Sequence, residues 1–147
     1  MQRWCSTIST PSGSAWKAPD QHAYKVSFDG ATFVKEELVG LGVVIRNDQG
    51  LIMASLTQQI PLPSSVIEVE VLAAWRALVL TLELGFKNIT LERDFEVLIN
   101  SLATSCNSLA HYGHLTADIH ILMSQFSSLS LSYVRRHCNR LAHALAR

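Results

Sequence analysis

The stretch from Val66 to Leu84 constrains this chain most. It holds no proline or glycine, and Gly85 follows it as a natural helix stop. Ser64 or Ser65 supplies an N-cap, and Glu68 falls in the first turn. A long helix is therefore expected, apolar nearly all round, which calls for cover on more than one side. Glu68, Arg76 and Glu83 share one arc of about 80°. Glu70 lies opposite them, beside Ala73, Ala74 and Ala77. Those small residues let the helix approach a sheet closely. Glu70 is then either a carboxylate pressed against the sheet, needing a partner or a metal, or a rim residue reaching water.

Upstream, the pattern is that of strands. In Lys25–Ala31, Val26 and Phe28 alternate with Lys25, Ser27 and Asp29, and the run ends in an Asp-Gly turn. Val39–Arg46, interrupted by Gly40 and Gly42, and Leu51–Leu56 flank the turn residues Asn47–Gly50, so they form a hairpin. Pro61 and Pro63 force an extended link into the helix. Downstream, Asn88–Leu91 is a strand leading to Asp94. Helices are expected over Phe95–Ala103 and Ala110–Phe126, a fifth strand over Leu129–Arg135, and a last helix from Leu141 to Arg147. The order β-β-β-α-β-α-α-β-α describes an α/β domain with a mixed five-stranded sheet, three strands antiparallel and the rest added in parallel.

Residues 1–19, rich in Ser, Thr, Pro and Gly, read as a leader or linker, and 20–147 as one domain. A chain of 147 residues, 48% hydrophobic and 16% charged, can bury a sizeable core. No apolar run reaches the roughly 18 residues of a membrane span, so no membrane partner is expected. Twelve basic and twelve acidic residues cancel, so attraction to nucleic acid would have to be local. Cys5, Cys106 and Cys138 show no zinc spacing and read as reduced thiols. An intracellular monomer is expected, in nucleus or cytoplasm, with an organelle as the alternative because Arg3 and Lys17 precede the first acid. His111 and His114 share a helix face without an acid to complete a ligand set.

Asp29, Glu70 and Asp94 are three acids at a strand, a helix and a strand end. Gathered in one cleft they repel, and hard oxygen ligands suit Mg²⁺ or Mn²⁺. Two such ions about 4 Å apart can activate water and stabilise a leaving oxygen in phosphodiester cleavage. Taken singly, Asp29 is also an ordinary turn residue and Asp94 an ordinary helix N-cap.

The same residues carry a resemblance. Phe28-Asp29-Gly30-Ala31, Gly40-Leu41-Gly42-Val43-Val44-Ile45-Arg46, Val69-Glu70 through Leu78, Ile89 to Asp94, and Val134-Arg135-Arg136 with Asn139 to Ala146 together resemble a ribonuclease H type 1 domain. The nearest group is the reverse-transcriptase-like one abundant in plants and related to retrotransposon polyproteins. The ordered set is specific, although no single motif is. It implies a ribonuclease-H-like fold and cleavage of the RNA strand of RNA–DNA hybrids with two Mg²⁺ or Mn²⁺ ions. Asp29, Glu70 and Asp94 match the metal-binding acids. The fourth acid falls at His143, the fourth candidate catalytic residue, and Phe95 stands where the family usually has Ser. A basic insertion found in some members is missing, because Thr104–Ser108 is short and uncharged. Hybrid contacts would rest on Gly30, Gly42, Arg46, Arg135, Arg136, Asn139 and Arg140. The arginines near the C-terminus could equally complement nearby acids. The alternative is a ribonuclease-H-fold binding or interaction module with weak or no turnover, or a relic of a larger polyprotein. An actin-like nucleotide-binding fold would need a second Asp-Gly turn, which the chain lacks.

Overall fold

The computed structural model describes residues 8–9, 16–94 and 113–147. Three long antiparallel strands open the domain: β2 (Tyr24–Phe33), β3 (Leu38–Arg46) and β4 (Ile52–Pro61). β5 (Asn88–Arg93) adds to β2 in parallel, and β6 (Ser128–Tyr133) adds to β5 in parallel. The residues expected to be leader contribute a short sixth strand, β1 (Ile8–Ser9), parallel to Leu131–Ser132 of β6. The sheet order is β1-β6-β5-β2-β3-β4.

Three helices complete the described fold: α1 (Val66–Glu83), α2 (Gly113–Ser124) and α3 (Arg140–Ala146), with a 3-10 turn over Arg136–Asn139 before α3. The helix expected over Phe95–Ala103 lies outside the described residues, as do Phe95, Thr104–Ser108 and His111. Among the described residues no helix is long and apolar enough to cross a membrane.

Local chemistry sets the boundaries of α1. The Ser65 hydroxyl accepts from the Glu68 N–H at 3.2 Å, and the Glu68 carboxylate accepts from the Ser64 hydroxyl at 2.9 Å. At the other end Gly85 takes φ 81°. Its N–H donates to the Leu82 carbonyl, and the Phe86 N–H to that of Thr81, the crossed pair of a Schellman motif. A side chain at Gly85 would be strained there. Ala73, Ala74 and Ala77 are fully buried, so α1 lies close on the sheet.

The other face of the sheet carries α3, and here Gly40 and Gly42 explain themselves. A Cβ on Gly42 would run into the Ala142 carbonyl, and one on Gly40 into that of Ala146. The glycines that interrupt β3 are thus the floor on which α3 rests. Phe28, Ile45, Leu78, Leu91, Met123 and Phe126 fill the main core.

Candidate active site

Strand alternation sends Asp29 to the α3 face of β2, while Phe28 and Gly30 look towards α1. Glu70 comes down from the first turns of α1. Only 5% of it is exposed, so of its two readings the structure takes the one pressed against the sheet. Asp94 follows the last residue of β5. His143 projects from α3, and its Nδ1 lies 2.6 Å from Asp29 Oδ2. Four candidates from four elements therefore line one cleft of about 530 Å³.

The centre of that cleft is Arg93. Its Nη2 lies 2.8 Å from Asp29 Oδ1 and 2.6 Å from Glu70 Oε2. Its Nε donates to Glu70 Oε2 at 2.7 Å, and its Nη1 pairs with Asp94 Oδ1. The guanidinium carbon sits 5.9 Å from the centroid of the Phe28 ring. The side chain is 7% exposed. Burial raises the Glu70 carboxyl above its ordinary pKa; the Arg93 charge and hydrogen bond oppose that shift, and the Asp29 charge adds to it.

Sequence reasoning gave Arg93 no role. Arg135, Arg136 and Arg140 are the arginines that the sequence offers as phosphate contacts or as complements to nearby acids, yet the arginine that reaches the acids stands directly before Asp94. The usable signal was its place, a strand-end arginine beside one candidate acid.

The candidate hybrid contacts divide. Gly30, Arg135 and Arg136 line the acid cleft, the two arginines exposed at its edge. Arg46 and Arg140 line a separate cavity with Trp16, where the Arg46 guanidinium carbon lies 4.3 Å from the centroid of the Trp16 ring. Gly42 is buried beneath α3, and Asn139 is buried with its amide donating to the Phe28 carbonyl at 3.0 Å. Both are accounted for by packing and stand away from the cleft's surface.

The family description "reverse transcriptase-like" matches residues 27–147. The chain belongs to that family. Solved structures share the fold of this reverse transcriptase-like domain. Ribonuclease H1 from the archaeon Halobacterium salinarum superposes with TM-score 0.76 at 24% identity, covering 84% of this chain and 94% of its own. The N-terminal ribonuclease H domain of a Mycobacterium tuberculosis protein, solved as a fusion with maltose-binding protein, gives 0.72 at 19%, covering 84% and 95%. Ribonuclease H1 LC11, from a compost metagenome and solved with an RNA/DNA hybrid, gives 0.69 at 19%, covering 83% and 92%. No curated protein matches the chain.

The ions that the resemblance implies can be tested against the donor set. Three carboxylates are the right chemistry for a hard divalent cation. Their inward oxygens, however, are already taken by the Arg93 nitrogens. Among the described residues no three His, Cys, Asp or Glu are grouped to hold a metal. With the guanidinium in place, the arrangement does not fit the ions.

Proposed function

We propose that this reverse transcriptase-like domain binds RNA–DNA hybrids in the Asp29–Glu70–Asp94 cleft and hydrolyses their RNA strand, at a rate that Arg93 holds low. The observation that carries this reading is the convergence of acids from β2, α1 and the end of β5 in one open cleft edged by Arg135 and Arg136. The hybrid bound to LC11 ribonuclease H1, a protein of the same fold, supports it.

In this reading Arg135 and Arg136 contact backbone phosphates, which orients the duplex without reading its sequence. The Gly30 N–H is turned inward to Asp29 Oδ1 at 2.8 Å and stiffens that carboxylate. Glu70, held between α1 and the sheet, and Asp94, at the strand end, present the remaining negative charge. Such a cluster repels a phosphate unless cations intervene. Arg93 supplies one positive charge against three carboxylates, so hydrolysis needs more than the arrangement offers.

The test uses labelled RNA–DNA hybrid, RNA duplex and DNA duplex, with binding followed by anisotropy across a salt series. Preferential hybrid binding is expected, with a shallow log–log salt slope of about −2 for two phosphate contacts. Slow RNA-strand cleavage in Mn²⁺ or Mg²⁺ should fall by about a hundredfold or more in Asp29→Asn. No hybrid binding would overturn the proposal. Binding without cleavage above the Asp29→Asn level would favour a second reading, a ribonuclease-H-fold module without turnover. The specific observation on its side is the arginine seated among the acids.

A further inference from the structure

We infer that Arg93 is the resident cation of the carboxylate cluster: its guanidinium holds Asp29, Glu70 and Asp94 together, and a divalent ion can enter only as that side chain leaves. The inference rests on reading the cleft as the hydrolytic site, and it names what regulates that site.

The geometry carries the argument. A guanidinium is a rigid planar fork, and here each of its three nitrogens lies against a carboxylate, Nη1 as an ion contact without a hydrogen bond. Nη2 bridges Asp29 and Glu70, Nε gives Glu70 a second bond, and Nη1 takes Asp94. Each acid therefore turns an oxygen to the guanidinium, although among the described residues the acids are not grouped to hold an ion as they stand. The side chain is anchored rather than trailing. It ends β5, where its backbone pairs in register with Tyr133, and it lies along the Phe28 ring. Phe28 is in turn fixed through its carbonyl to Asn139. The neighbourhood holds Arg93 in this position from both faces of the sheet.

Charge supports the same conclusion. Two acids touching one guanidinium nitrogen would be costly in a buried place without it. With it the cluster is bound together yet still negative, which leaves an attraction for further cations. Apparent ion affinity is the intrinsic affinity reduced by the fraction of molecules with the guanidinium displaced. The chain should therefore fold without divalent ions and bind them weakly.

Mn²⁺ titration by calorimetry, with thermal melts in EDTA and in Mn²⁺, tests this without nucleic acid. The wild type should show weak Mn²⁺ binding and an unchanged melting temperature. Arg93→Thr should bind Mn²⁺ about tenfold tighter or more, melt lower in EDTA, and recover in Mn²⁺. Adding Asp29→Asn to Arg93→Thr should abolish the gain. A tight Mn²⁺ site in the wild type, or a folded Arg93→Thr with no gain in affinity, would overturn the inference. If Arg93→Thr is unfolded in EDTA, recovery of its native circular dichroism on adding Mn²⁺ supports the inference, and failure to recover overturns it. Hybrid binding is measured separately, so its failure and the failure of this inference give different results.

Discussion

Two buried charge clusters sit on consecutive residues of β5, and they are built to opposite rules. Glu92 is 1% exposed and pairs with Lys25 at 3.1 Å, while the Ser27 hydroxyl donates to its other oxygen at 3.2 Å. Lys25 also donates to the Lys17 carbonyl at 2.5 Å, and its ammonium lies 5.1 Å from the centroid of the Trp16 ring. One anion meets one cation, and a ring closes over the pair. Arg93, the next residue, meets three carboxylates and faces an open cleft. The balanced cluster is finished as it stands. The unbalanced one keeps negative charge for which folding alone has no use. That excess, rather than burial or pairing, distinguishes a site from a structural ion pair.

The largest effect that would break this comparison is expected in Lys25→Met. It leaves Glu92 buried without its partner, which costs about 3–5 kcal/mol. The loss should be the same in EDTA and in Mn²⁺, because Glu92 alone cannot hold an ion. Arg93→Thr should also destabilise in EDTA, yet regain stability in Mn²⁺. Urea unfolding of both variants under both conditions reads the difference. Equal recovery of the two variants in Mn²⁺ would mean that the clusters do not differ in kind.

A smaller effect should appear in pH dependence. Burial raises the pKa of both Glu70 and Glu92 above the usual 4.5, with Arg93 opposing the shift at the first and Lys25 at the second. A raised carboxyl binds its proton more tightly in the folded state than in the unfolded state. Its contribution to stability is therefore full below pH 4.5 and is lost as pH rises through the folded pKa. Glu92→Gln removes one such group. Relative to the variant, the wild type should lose stability as pH climbs above 4.5 towards neutrality. Denaturant midpoints across that window check the sign. Glu70→Gln should flatten the profile too, but in its case added Mn²⁺ should alter the wild-type curve only if Arg93 yields.

Much of the frame was legible because periodicity carried it. The alternation in Lys25–Ala31, the Asn47–Gly50 turn and the all-round apolarity of Val66–Leu84 each placed an element to within a few residues. The arc opposite Glu68, Arg76 and Glu83 turned Glu70 towards the sheet but left open whether it was buried there or reached water, which its 5% exposure decides. Elsewhere the pattern had nothing to transmit. Ile8–Ser9 pair through backbone groups along a two-residue edge, too short to show a period. β4 runs on to Pro61 because an edge strand tolerates proline and polar residues, which in sequence look like a break. Arg93 was the costliest miss. Alternation assigns it to the face of Phe28, opposite Asp29, and only the termination of β5 lets its fork reach around to both. That is a property of where the strand stops beside β2, invisible in either strand alone.

The smallest expected effect concerns His143, the departure that the sequence made most conspicuous. It is partly exposed, with 32% of its side chain open to solvent, and its contact with Asp29 is at the margin of the cluster. His143→Asp replaces that contact with a fourth carboxylate. In the wild-type background the added like charge beside buried Asp29 should lower stability, and it should barely alter Mn²⁺ affinity while Arg93 holds the inward oxygens. In the Arg93→Thr background the same substitution should tighten Mn²⁺ binding further, since the added oxygen then faces an ion rather than an arginine. Calorimetry on the two single variants and the double variant measures the coupling directly. If His143→Asp alone raises Mn²⁺ affinity as much as Arg93→Thr does, the histidine and not the arginine keeps ions out. If the gain appears only with Arg93 removed, the residue that looked anomalous in sequence is secondary to one that looked ordinary.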